Sequence, residues 1–151
     1  MTFDFIAHPE LRDEQLIFYY WESPHKQIFE DFFATCVKVH DGDTITVQWD
    51  ERDFNFPIRF AEINAPELNE AGGTEAKEWL RKRIEGEEVY IEINKKNRID
   101  KYGRLLGRVH HNGLDLSEAL MAVGHAKLIS QKNEGKFPPL TKIFGVKEWQ
   151  I

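Results

Sequence analysis

Between Phe32 and His110 apolar and polar residues keep alternating with a period of two, in runs too short for anything but small strands. Thr44 to Trp49 sets Ile45, Val47 and Trp49 against Thr44, Thr46 and Gln48. Phe56 to Ile63 sets Ile58 and Phe60 against Arg59 and Ala61, and Val89, Ile91 and Ile93 oppose Glu88, Tyr90 and Glu92. Successive side chains of a strand point to opposite faces, so each run builds one dry face and one wet one. Phe32 to Val39 is apolar and β-branched, and Asp41-Gly42 ends it in a tight turn. Arg104 to His110 reads as a fifth strand, with Gly103 and Gly107 admitting a bend.

Two helical stripes interrupt the strands. Ala76, Trp79, Leu80 and Ile84 form the first, with Thr74 placed to cap its start and Gly86 to stop it. Leu116, Ala119, Leu120 and Val123 form the second, where Asp115 and Glu118 have the spacing of a capping box and Gly124 ends the helix. The expectation is an α+β fold: a five-stranded, partly open OB-fold β-barrel with two or three helices. Residues 1–33 stand apart, holding nine of the nineteen aromatics around a Ser23-Pro24 turn. They are expected to form an extension over residues 1–31, a hairpin or a strand packed on the barrel or on a partner. The barrel domain then runs over residues 32–151.

Charge and composition exclude several classes. The 151 residues carry a net charge of −6, divided into −9 over residues 1–67 and +3 over residues 68–151. An acidic chain is poorly suited to tight, non-specific duplex binding, whereas the ten bases between Lys77 and Arg108 can hold a short phosphate segment. A single cysteine, Cys36, excludes an internal disulfide and a Cys-based zinc site. No apolar run approaches a membrane span and the N-terminus has no secretory pattern, so a cytoplasmic protein without membrane contact is expected.

Three stretches carry candidate chemistry. Asp41-Gly42-Asp43-Thr44 presents two carboxylates on a turn, which suits a hard cation and equally an ordinary tight turn. Ile58 to Glu67 is a strand running into Asn64-Ala65-Pro66-Glu67; Pro66 forces Ala65 extended, and Arg59 offers a planar fork suited to phosphate. Asp100-Lys101-Tyr102-Gly103-Arg104 gathers two cations and an aromatic at the entry to a strand. No Ser-His-Asp, Cys-His or phosphate-loop pattern competes with these. His110-His111-Asn112 before Gly113 reads as a short turn.

Together with TEAKEWL (74–80), VYIEI (89–93) and DLSEALMAVGHAK (115–127), the stretches VKVHDGDTITV (37–47), IRFAEINAPEL (58–68) and DKYGRLLGRVH (100–110) resemble the staphylococcal nuclease (thermonuclease) family. The resemblance covers residues 33–129 in the family's order. It implies an OB-fold barrel and a calcium-dependent phosphodiesterase acting on DNA or RNA, with single-stranded or short nucleic acid as substrate. It assigns Asp43 to the metal, with Asn64 and the Ala65 carbonyl beside it and Asp41 in the outer shell. Arg59 and Arg104 would grip the scissile phosphate, Glu67 would activate or orient water, and Lys101 and Tyr102 would contact substrate. The chain departs from the family at Asn64, where active members usually carry aspartate. It departs again at Ser130 and Lys132, which occupy the places of two nucleotide-holding tyrosines, and over Gly135 to Ile151, where the helical pattern is weak. These departures keep open a second reading, a catalytically silent OB-type module that binds nucleic acid or protein. A third reading makes the aromatic N-terminal segment the functional surface, for a homodimer or a protein partner.

Overall fold

The alternating runs close into a ring. The computed structural model describes residues 3–129. In chain order its elements are α1 (Asp13–Tyr19), β1 (Phe32–Asp41), β2 (Thr44–Gln48), β3 (Phe56–Phe60), β4 (Ile63–Asn64), α2 (Gly73–Ile84), β5 (Glu88–Glu92), β6 (Leu105–His111), β7 (Leu114–Asp115), α3 (Leu116–Ala122) and β8 (Lys127–Leu128). β1 runs antiparallel to both β2 and β5, β2 pairs β3, and β5 pairs β6, all antiparallel. β3 then lies parallel to β6, with Ile58 opposite Leu105 and Arg59 opposite Leu106. This last ladder joins the two edges, so the barrel is closed rather than partly open, and no strand edge of the five is left to template another chain.

β1 can serve two partners because it bends. Phe32–Thr35 pairs with β5 and Thr35–Asp41 with β2, with register shifts at Cys36/Lys38 and Val39/Asp41. A bulge of this kind increases local twist and lets one strand curl around a small barrel. The inward residues Cys36, Ile45, Val47, Ile58, Phe60, Ile91 and Val109 are fully buried. α2 packs across β1 through Ala76, Leu80 and Ile84, spaced four apart, and α3 covers β6 with Leu116 and Leu120.

Packing modifies three expectations. Thr74 does not cap α2: the helix starts at Gly73 after Gly72, and no side chain bonds its first turn. The reason is steric, since a Cβ on Gly73 would sit 1.9 Å from the Glu67 carbonyl oxygen, so a glycine lets the helix start directly beneath that loop. The single run from Phe56 to Ile63 breaks into β3 and β4 at Ala61-Glu62, where Glu62 takes a left-handed φ of 68°. Asp115 does cap α3, accepting from the Ser117 and Glu118 amides.

The third correction concerns the extension, which is helical and not a hairpin or strand. β1 already has a neighbour on each side, so the barrel offers no edge for another strand. α1 itself buries no residue. Its flanks are fastened instead: Leu11, Glu10, Gln27 and Ile28 are buried, and the Gln27 amide bridges the Leu11 N–H at 2.7 Å and the Pro9 carbonyl at 2.8 Å. Ile17, Phe18 and Trp21 remain exposed. No helix among the described residues is long and apolar enough to cross a membrane. Ser130, Lys132 and Gly135 to Ile151 lie outside the described residues.

Candidate active site

The β1–β2 turn and the β3–β4 corner meet on one side of the barrel, and a third loop leads into β6, which pairs with β3. Gly42 shows how tightly the first two are packed: a Cβ there would lie 2.7 Å from the Ala65 Cβ and 2.9 Å from the Ala76 Cβ. Asp43, next in the turn, is buried and binds across the gap, its Oδ2 accepting from the Ala65 N–H at 2.7 Å. Its Oδ1 accepts from the Thr44 hydroxyl at 3.1 Å, and the Asp43 N–H donates to Asp41 Oδ1 at 3.1 Å. Ala65 therefore meets Asp43 through its amide. Burial pushes the Asp43 carboxyl up to about 6, Asp41 adds to the rise, and the Arg59 guanidinium opposes it.

Arg59 lies 3.4 Å from Asp43 Oδ2 and is itself mostly buried. It donates to the carbonyls of Phe60 at 2.5 Å and Ile63 at 2.9 Å, and to Asn64 Oδ1 at 2.6 Å. These bonds tie down the corner that Glu62 strains, and Glu62 is held in turn by Arg108 at 3.1 Å. Asp41, Asp43, Arg59, Asn64 and Ala65 thus form one hydrogen-bonded group. Glu67 sits outside it, exposed on the loop before α2, with its N–H donating to Glu70 Oε1 at 2.8 Å.

The second group hangs from β6. Because Arg59 faces Leu106 across the parallel ladder, Arg104 lies one strand over and two residues back from Arg59. Its Nε donates to Asp100 Oδ2 at 2.7 Å. The other Asp100 oxygen accepts from the N–H groups of Tyr102 and Arg104, each at 2.9 Å. Among the described residues the Nη atoms of Arg104 have no hydrogen-bond partner, so the fork is available to an anion. Tyr102 is exposed, with the Lys101 ammonium 5.2 Å and the Arg104 guanidinium 5.3 Å from its ring centre. Asp100 is the organising residue that motif reading passes over. Its signal is local: an aspartate ahead of a Tyr-Gly pair forms an Asx turn, and its second oxygen can hold the arginine four residues on.

The oxygen donors of Asp41, Asp43 and Asn64 are of the kind a hard cation takes. Among the described residues no group of three or more His, Cys, Asp or Glu side chains is placed to hold a metal. Asn64 contributes an amide oxygen to this set but no charge.

Comparison with known proteins adds an independent line. Residues 57–144 match the family described as staphylococcal nuclease homologue. The chain is 28% identical over 111 residues to an uncharacterized endonuclease of Escherichia coli O157:H7, covering 73% of this chain and 69% of that protein. It is 35% identical over 80 residues to micrococcal nuclease of Shigella flexneri, covering 53% of this chain and 43% of that one. Endonuclease YncB of Bacillus subtilis (strain 168) is 29% identical over 101 residues, covering 63% and 47%.

Proposed function

The chain belongs to the staphylococcal nuclease homologue family, and from that membership we propose that it is a calcium-dependent nuclease hydrolysing phosphodiester bonds in single-stranded or short DNA or RNA. Relatives named as endonucleases support the reaction class. The observation that carries the reading for this chain is Arg104: its Nε edge is locked on Asp100 while, among the described residues, its Nη edge has no hydrogen-bond partner, on the strand that pairs with the one bearing Arg59. A phosphodiester bears a negative charge that repels hydroxide, and that charge grows on the phosphoryl oxygens as the nucleophile adds. Arg104 would bind those oxygens in a bidentate fork, with Arg59 beside it across the β3–β6 ladder. Lys101 and Tyr102 would hold the neighbouring phosphate and base by charge and stacking. Glu67, exposed on the loop before α2, would accept the proton of the attacking water. Calcium, held by Asp43 with Asn64, the Ala65 carbonyl and Asp41, would supply charge neutralisation at the phosphate.

The test is a calcium titration of cleavage on labelled single-stranded DNA and RNA, with a chelator control and Arg104→Ala. Cleavage is expected to vanish with chelator and to fall by about 10²- to 10³-fold in the variant. Asn64→Asp is expected to move the half-activating calcium concentration down. Cleavage untouched by chelator or by Arg104→Ala would sink the reading. Asn64, which brings no charge to the oxygen donors of Asp41 and Asp43, favours a second reading, a silent barrel that binds nucleic acid or, through the exposed Phe18 and Trp21, a protein partner or second copy. Absence of cleavage together with binding of the same oligonucleotides would select it.

A further inference from the structure

The connection from β5 to β6 carries Lys101, Tyr102 and Arg104, yet it is twelve residues long and has no strand or helix of its own, only turns and an isolated bridge between Ile99 and Leu105. A loop of that kind needs external anchors to hold a side chain to a fraction of an ångström. Its anchors come from the N-terminal extension. Glu10 is buried and pairs with Arg52 of the β2–β3 connection on one side and with Arg98 at 2.9 Å on the other. Arg98, also buried, donates to the carbonyls of Leu11 at 3.0 Å and Ile28 at 2.6 Å, and its guanidinium stacks 4.1 Å from the Phe29 ring. Arg12 then donates from Nη2 to two successive loop carbonyls, Asp100 at 3.3 Å and Lys101 at 2.5 Å. His8 closes the series, with Nδ1 3.2 Å from where a Cβ on Gly103 would be.

Residues 8–12 therefore lie along residues 98–103, and the contacts converge on the residue that orients Arg104. Asp100 holds Arg104 with its carboxylate and is held by Arg12 at its carbonyl. We propose that residues 8–12 are a positioning arm for the phosphate-gripping loop, and that Arg12 is the positioning residue that sets the orientation of Arg104 through the Asp100 backbone. This deepens the nuclease reading above and rests on it for its consequence in catalysis, although the coupling between Arg12 and Arg104 is a property of the protein alone. Arg12 reaches the loop from the surface and takes no part in the buried Glu10 cluster, so its removal leaves the arm attached.

The experiment uses the full chain with Arg12→Met and Arg12→Lys. The first readout is solvent exchange of the Arg104 Nε–H followed by NMR, the resonance being assigned by its loss in Arg104→Lys. The second is kcat and KM on a labelled single-stranded DNA in calcium. Arg12→Met is expected to speed Nε–H exchange about tenfold and to lower kcat by about 10- to 100-fold, with KM changing less, because a misplacement near 1 Å has effects of that size. Arg12→Lys, which keeps a donor, is expected to recover most of both. Nε–H exchange in Arg12→Met equal to the wild-type rate would overturn the proposal. Where Arg12→Met does not fold, His8→Ala carries the same exchange test at Gly103. A wild-type protein that cleaves nothing removes the nuclease reading, while the exchange comparison still decides the arm.

Discussion

Arg59 and Arg104 carry the same charge and face the same side of the barrel, yet they do different work. Arg59 donates to two backbone carbonyls and to Asn64 and pairs with Asp43, so its guanidinium is part of the β3–β4 corner. Arg104 spends only one edge, on Asp100, and its side chain is 30% exposed. Removing a buried charged donor leaves several carbonyls unpaired, whereas removing an exposed one does not. Arg59→Ala is therefore expected to lower unfolding free energy by about 2 to 4 kcal/mol in urea melts. Arg104→Ala, which leaves Asp100 its two backbone N–H donors, should cost less, about 1 kcal/mol, while both are expected to lower cleavage. Equal melting curves for the two variants would contradict the assignment of Arg59 to the corner. The left-handed Glu62 sits in that same corner, so backbone strain and a candidate phosphate-binding side chain coincide there.

Among the elements, the N-terminal extension depends most on a single contact. α1 buries nothing, so the segment is held by its flanks and above all by Glu10 between Arg52 and Arg98. Arg52 is enclosed by the rings of Trp49, Phe54 and Phe56, and among the described residues its Nε and Nη1 have no hydrogen-bond partner. Two guanidinium groups thus share one buried carboxylate. Glu10→Gln keeps the shape and removes the charge, leaving both arginines uncompensated. It is expected to destabilise the protein by about 3 kcal/mol or more and to make the bond after Arg12 cleavable by trypsin under native conditions. A variant as stable and protease-resistant as the wild type would mean that the cluster does not hold the extension.

At the scale of the whole molecule, the seam between extension and barrel makes stability depend on pH. His25 lies in that seam, its Nε2 3.1 Å from the Pro9 carbonyl and its ring against Phe54. Burial, then the charge of Arg52, holds its pKa below the usual 6.5, although the Pro9 contact and Glu10 pull the other way. At this histidine the unfolded chain therefore takes up a proton first as pH falls, so the His25 contribution to stability is full above about 6.5 and declines below it. Asp43 works the other way, since a carboxyl raised to about 6 favours the folded state as pH falls through that value. The His25 part is isolated by comparing the slope of urea midpoint between pH 7 and pH 5 in wild type and His25→Gln, where the variant is expected to lose less stability, and equal slopes would exclude His25 as a contributor. The barrel's strands were legible because alternation at Ile45, Val47, Ile58 and Ile91 reports burial on one face, which is a local property. The candidate site residues were legible as types, since Asp43, Arg59 and Arg104 stand in short motifs, and the structure draws Asp43 and Arg59 into one hydrogen-bonded group. Three things were not: the closure of the barrel by the β3–β6 ladder, the helical extension in place of a hairpin, and the grip of Arg12 and Glu10 on the loop that holds Arg104. The closure and the grip join residues far apart in the chain, 42 positions for Glu10–Arg52 and 89 for Arg12–Lys101, with Arg59–Leu106 between them, and the helix took the place of a hairpin because the closed barrel left no edge. Local propensity carries no information about such pairings, because their free energy comes from surfaces that exist only once the barrel has formed.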